Sequence, residues 1–149
     1  MTGDEAVAGA EAGVRAQMLC EGDGCGEVLW LDEPLSFWGG TDIATAVITD
    51  VHHPQHGISL AGRVLVMSAS RGSSSSSSVI AEQVRAGVAP AAIVLSSRDA
   101  IVVLGALAAA EVYGTRLPIV LLGSAALEGL PRTGNVCVRA DADAASVTW

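Results

Sequence analysis

The sequence predicts one α/β domain in which helices cover a central parallel sheet. Three observations carry that expectation. The chain has 149 residues, a length that suits a single domain. Half of its residues are apolar and only 3% are aromatic. The apolar mass is therefore Ala, Val, Leu and Ile, which suits strands buried on both faces and the helices that cover them. The second half alternates strand-like and helix-like segments in a β-α-β-α-β run.

Along the chain, residues 1–26 are rich in Ala, Gly and acid and read as a weakly structured extension, with a short helix over Glu11 to Leu19. The domain proper is expected over residues 27–149. Glu27 to Leu31, Leu35 to Trp38 and Ala46 to Thr49 are short strand candidates, and Gly39-Gly40 breaks the pattern between them. Asp50 to Gly57 is a loop that holds all three histidines. Arg63 to Met67 reads as a strand. Val79 to Ala86 reads as a helix, with Ile80, Val84 and Val88 on one face and Gly87 as its stop. Ala91 to Leu95 is a strand. Asp99 is placed to cap a helix whose Ile101, Leu104, Ala108 and Val112 share a face, and Gly114 ends it. Leu117 to Leu122 is a strand. A short helix over Ala125 to Gly129 and strands at Val136 to Arg139 and Ser146 to Trp149 complete the domain.

Charge narrows the partners. There is no lysine, and sixteen acidic residues against eight arginines give a net charge of −8. Nucleic acid and anionic membrane both need a basic face, so neither is expected. Arg63, Arg71, Arg85 and Arg98 fall where acid is sparse, which leaves room for an anionic small molecule. The acidic start lacks a signal-like basic region, and the apolar stretch Ala100 to Gly123 is broken by Glu111, Arg116 and Pro118. The expected place is the cytoplasm, with Cys20, Cys25 and Cys137 reduced.

Arg71-Gly72 followed by the six serines Ser73 to Ser78 has a composition no core needs. A low-complexity linker is the ordinary reading. Its position argues against that: a strand feeds into it and a helix leaves it, so both sides belong to one β-α unit. Loops at the carboxyl edge of a parallel sheet tend to bind ligands. The first N–H groups of the following helix lack partners and attract carboxylate or phosphate. Ser78 is placed to cap that helix, and Arg71 adds a charged fork. The same donor-rich surroundings stabilise a serine alkoxide, the form in which serine acts as a base. The Gly-Lys-Ser/Thr ending of a P-loop is absent.

A series of motifs extends the reading: Pro34-Leu-Ser-Phe-Trp-Gly-Gly-Thr-Asp, His53-Pro-Gln-His-Gly, Gly62-Arg-Val-Leu-Val, Arg71-Gly-Ser-Ser-Ser-Ser-Ser-Ser-Val and Gly87-Val-Ala-Pro-Ala-Ala-Ile. In order and spacing, over residues 27–122, they resemble the swivelling-domain subunit of aconitase X. The resemblance implies a β/β/α swivelling fold like the mobile domain of aconitase. It implies a separate large subunit carrying an iron–sulfur cluster and much of the pocket for a small carboxylate substrate. Known members dehydrate cis-3-hydroxy-L-proline in bacteria or mevalonate 5-phosphate in archaea. By motif position, the serine that removes the proton is Ser73, while Arg71, Gly72, Ser74, Ser75, Ser76 and Ser77 bind substrate. Bacterial members are serine-rich in this loop and archaeal ones more mixed, so the resemblance favours the hydroxyproline enzyme, with Δ1-pyrroline-2-carboxylate as product. The alternatives are the small subunit of a mevalonate 5-phosphate dehydratase and a non-catalytic anion-binding or regulatory module.

Other residues invite weaker readings. His52, His53 and His56 have no Cys or carboxylate at ligand spacing, so a loop role is expected rather than a metal. The three cysteines are expected to be inert, and no metal is expected on this chain. Trp38 is expected to pack, and Asp42 is a candidate hydrogen-bond partner beside the pocket. Asp99 and Glu111 have ordinary cap and surface readings.

Overall fold

The computed structural model describes residues 12–149. Seven strands close into a barrel: β1 (Gly13–Cys20), β2 (Gly22–Trp30), β3 (Val64–Met67), β4 (Ala92–Leu95), β5 (Ile119–Leu121), β6 (Asn135–Ala140) and β7 (Ala145–Thr148). Around the barrel the order is β1-β5-β4-β3-β2-β6-β7. Strands β2, β3, β4 and β5 pair in parallel along the series. β1, β6 and β7 close the circuit with antiparallel pairs. Helices α1 (Ser76–Ala86) and α2 (Ala100–Tyr113) cover the parallel strands, and a short α3 (Ser124–Glu128) follows β5.

Two cores result from the alternation of side chains along a strand. Val64 and Val66 of β3, Ala92 and Val94 of β4 and Val120 of β5 point into the barrel, beside Val136, Val138 and Val147. Leu65, Met67, Ile93, Leu95 and Ile119 point outward and pack under Ile80 and Val84 of α1 and Val102 and Ala106 of α2. Every residue of β3 and β4 is buried, which is why both read as unbroken apolar runs. The parallel β-α-β-α-β core is thus as the alternation suggests. Closure into a barrel is not written in it.

The expected weak extension over 1–26 departs from the structure. Residues 13–20 and 22–26 are strand, and the helix expected over Glu11 to Leu19 is largely β1. Val14, Ala16 and Met18 alternate toward the barrel interior, a period of two that a composition rich in Ala and Gly obscures. The pairing partners of β1 lie on β5 and β7, far along the chain. Residues 1–11 lie outside the described residues. The expected domain boundary at residue 27 therefore falls inside β2.

Glycine in the first half of β2 has a packing reason. A Cβ on Gly24 would stand 2.0 Å from the carbonyl oxygen of Ala91, and one on Gly26 would stand 2.1 Å from that of Gly62. The outward residue between them, Cys25, sits opposite Cys137 of β6, and the two form a disulfide. The expectation of three reduced cysteines is corrected accordingly. Only the register, which joins residues 112 apart in sequence, brings the pair together. Cys20 is free and buried, and burial pushes its thiol up against the opposing pull of Arg116.

Between β2 and β3 the chain forms an irregular layer against α1. Leu35, Phe37, Ala46, Ile48 and Leu60 are buried in the outer core. The two strands expected here reduce to isolated bridges, Leu35 to Ser70, Thr41 to Ile48 and Val47 to Ser59. Phe37–Gly40 is a single helical turn, and Trp38 and Gly39 leave helical geometry within it.

Candidate functional site

Strand β3 delivers the chain at Met67, and α1 takes it up at Ser76. The segment between is fixed residue by residue. Ser70 pairs with Leu35, and the Arg71 N–H donates to the Leu35 carbonyl at 3.1 Å. On the other side, the Ser70 N–H and its Oγ both donate to Asp99 Oδ2 at 2.6 Å. Gly72 then turns with φ of +98°, and a Cβ there would lie 2.6 Å from Ser36 Oγ. Both facts restrict the position to glycine.

Ser73, Ser74 and Ser75 follow as an exposed loop. Ser73 Oγ accepts the Ser75 N–H at 3.0 Å. The Ser73 and Ser74 carbonyls accept the N–H groups of Ser76 and Ser77 at 3.0 and 3.2 Å, which starts the helix as a tight turn. Among the described residues, the N–H groups of Gly72, Ser73 and Ser74 meet no protein acceptor. Unpaired N–H groups beside a helix start form an anion-attracting fringe. Arg71 is exposed and forms no ion pair among the described residues, so its guanidinium is available to the same anion.

The run does not act as one unit. Ser76 is fully buried, and its Oγ accepts the Trp38 N–H at 3.1 Å. Ser77 donates its hydroxyl to the Ser74 carbonyl at 2.9 Å. Ser76, expected to bind substrate, thus has its hydroxyl turned toward the protein, unlike Ser73, Ser74 and Ser75. Ser78 is exposed and stands inside α1, so it does not cap the helix. A groove of about 410 Å³ between α1 and α2 is lined by Ser77 and Ser78 but not by Ser73. The exposed serines stand on an open surface.

The other sequence candidates sit as follows. His53 is buried; its Nδ1 accepts the Gln55 N–H at 3.0 Å, which leaves the Nε2 proton for the Glu33 carbonyl at 3.1 Å. Both ring nitrogens are used, so His53 holds two loops together. His52 and His56 are exposed. Among the described residues, no group of three or more His, Cys, Asp or Glu could hold a metal ion. Trp38 is 57% exposed, against the expectation that it packs, and Phe37 takes the buried place. Asp42 folds onto its own loop, accepting from Ala44 and Thr45. Gln83, a polar residue that no sequence motif singles out, is buried and donates to Thr41 Oγ1 at 3.0 Å. Among the described residues, no helix is long and apolar enough to cross a membrane.

Comparison with known proteins gives a consistent picture. The chain is 47% identical over 105 residues to the cis-3-hydroxy-L-proline dehydratase of Pseudomonas aeruginosa, covering 70% of the chain and 18% of that protein. It is 37% identical over 117 residues to the protein of the same name from Hypocrea jecorina, covering 78% of the chain and 20% of that protein. The chain thus spans at most 20% of the length of these two relatives. It is also 40% identical over 96 residues to the phosphomevalonate dehydratase small subunit of Methanothermobacter thermautotrophicus, covering 64% of the chain and 73% of that subunit. The crystal structure of aconitase X from Thermococcus kodakaraensis matches with a TM-score of 0.75 at 32% identity, over 91% of this chain and 96% of that one. The family model of the aconitase X swivel domain spans residues 13–147, from the first residue of β1 into β7, and the chain belongs to that family.

Proposed function

We propose that the chain is the small subunit of an aconitase X-type hydro-lyase acting on cis-3-hydroxy-L-proline, and that Ser73 is its general base. The observation that carries this reading is the setting of Ser73 Oγ. It is exposed, it accepts the Ser75 N–H at 3.0 Å, and it lies beside the unpaired N–H groups that precede α1. A donor aimed at Oγ stabilises the alkoxide that must form there.

The reaction removes the elements of water. A proton leaves C2, next to the carboxylate, and the hydroxyl leaves C3. The resulting enamine moves its N–H proton to C3 and becomes Δ1-pyrroline-2-carboxylate. In this reading the Ser73 alkoxide takes the C2 proton and becomes a neutral hydroxyl. The N–H groups of Gly72, Ser73 and Ser74, the hydroxyls of Ser74 and Ser75, and Arg71 hold the carboxylate. Holding that charge also favours the electron density that builds up as the proton departs. Ser76 and Ser77, committed to internal hydrogen bonds, shape the loop instead of binding substrate.

The rest of the pocket is assigned to a large partner subunit, consistent with the open surface on which Ser73 stands and with the relatives' additional length. The iron–sulfur cluster goes to that partner as well. The described residues of this chain do not make a site for it, and no step runs through it.

A second reading, mevalonate 5-phosphate as substrate, is favoured by the 40% identity to an archaeal small subunit. The fringe of N–H groups holds phosphate as readily as carboxylate. Assay of the reconstituted two-subunit enzyme on both compounds separates the two. Turnover of the hydroxyproline that is lost in Ser73→Ala supports the first reading, and turnover of mevalonate 5-phosphate alone supports the second. A colourless single chain that binds a small acid and turns over neither favours a non-catalytic module.

A further inference from the structure

We propose that Asp99 is the positioning residue that sets where Ser73 stands, a role that rests on the reading of Ser73 as the base. Its carboxylate does two separate things. Oδ1 accepts the Ile101 and Val102 N–H groups at 3.1 and 3.2 Å, which caps α2. Oδ2 reaches sideways to the chain leaving β3 and takes both the N–H and the Oγ of Ser70 at 2.6 Å. The second arm contributes nothing to the helix. It ties the exit of β3 to the start of α2.

That tie decides the course of the loop. Ser70 and Arg71 are held between Leu35 on one side and Asp99 on the other. From there, only Gly72 separates Arg71 from Ser73, and Gly72 has little latitude because its Cα faces Ser36 Oγ. With both ends of this short path fixed, Ser73 Oγ meets the Ser75 N–H. Releasing Ser70 lets the path swing. A general base displaced by about 1 Å can cost on the order of a hundredfold in rate. A carboxylate suits this position: although burial pushes it up, the bonds from Ser70, Val102 and Ile101 outweigh that and keep it charged. Charged acceptors make the stronger hydrogen bonds.

The two arms can be separated by substitution. Asp99→Ser keeps a side-chain oxygen for the helix cap, since serine caps about as well as aspartate. It is too short to hold Ser70 as well. Ser70→Ala leaves the cap untouched and removes one of the two bonds to Oδ2. In the reconstituted two-subunit enzyme, Asp99→Ser is expected to lower kcat about 10- to 100-fold while KM stays within about threefold. A role confined to capping α2 leaves kcat unchanged in this variant. In the full chain, hydrogen exchange at the Ser70 amide is expected to speed up at least about tenfold in Asp99→Ser. Wild-type kcat in Asp99→Ser, alongside an inactive Ser73→Ala, overturns the inference, and so does unchanged exchange at Ser70. Full turnover in Ser73→Ala instead overturns the base reading, whatever Asp99 does. Should Asp99→Ser fail to fold, Ser70→Ala decides: a drop in kcat supports the inference, and an unchanged kcat overturns it.

Discussion

The backbone N–H of Trp38 donates to Ser76 Oγ at 3.1 Å, joining the irregular layer between β2 and β3 to the serine run. The serine at this end of the run is thereby a buried acceptor, while Ser73 to Ser75 remain exposed. Ser76→Ala leaves the Trp38 N–H without its partner. The expected cost is about 1–2 kcal/mol of stability, from the unsatisfied donor. Denaturant unfolding of the chain measures it, and an unchanged midpoint contradicts the structural role. On the proposed function, substrate KM is expected to change little, because the Ser76 hydroxyl is buried against the Trp38 N–H.

Cys25 and Cys137 form a bridge across β2 and β6, with Cα atoms 4.0 Å apart. Cys25 is exposed and Cys137 partly so, which leaves the bridge open to small thiols. The first half of β2 presents glycine to the interior, so the bridge supplies attachment that side chains there do not. Thiol titration of the native, non-reduced chain is expected to find only slow-reacting Cys20. Reduction or Cys25→Ser is expected to lower stability by about 2–4 kcal/mol. Three rapidly titrating thiols contradict the bridge.

Gly24 and Gly26 leave no space for a methyl group. Either Gly24→Ala or Gly26→Ala places a Cβ about 2 Å from a backbone oxygen, so β2 must shift away from the loops before β3 and β4. A loss of about 2–3 kcal/mol or failure to fold is expected, on the scale of overpacking in a tight interior. Thermal unfolding checks it, and a melting temperature within a degree or so of the wild type contradicts it.

Asp99 also makes a pH prediction. Burial raises its carboxyl, but the hydrogen bonds from Ser70, Val102 and Ile101 outweigh burial and hold it below the ordinary carboxylate value. A carboxyl depressed in the folded state contributes stability above its unfolded pKa, near about 3.9, and loses it as the pH falls through the folded value. The stability gap between the wild type and Asp99→Asn is therefore expected to be full at neutral pH and to shrink in acid. Denaturant unfolding across that range tests this, and a gap that stays constant contradicts it.

How much of this is legible in the sequence follows from the range of each interaction. The strands β3, β4 and β5 and helices α1 and α2 are encoded locally, by apolar runs, by the spacing of Ile80 and Val84 on α1 and by Gly87 and Gly114 as stops. The inward face of α2 is not: the expected face of Ile101, Leu104, Ala108 and Val112 leaves Leu104 and Val112 exposed, and Val102, Gly105, Ala106 and Ala109 are buried instead, because a helix apolar on all sides carries no mark of which side packs. Asp99 is readable as a cap because its cap partners are two and three residues away. Its bond to Ser70, 29 residues away, is not. β1 depends on pairing with β5 and β7, and its small residues hide the alternation. The bridge between Cys25 and Cys137 needs the β2–β6 register. Within the serine run, six identical side chains carry no sign of which face the protein, so the inward turn of Ser76 cannot be read.

Ser73 is the residue on which the functional reading stands. The most direct test is single-turnover dehydration of cis-3-hydroxy-L-proline by the chain reconstituted with the proposed large subunit, comparing the wild type with Ser73→Ala. The expected result is a fall in rate of at least about a hundredfold, the scale of losing a positioned general base, with the variant still folded and still assembled with its partner. A Ser73→Ala enzyme that turns over at the wild-type rate contradicts the assignment.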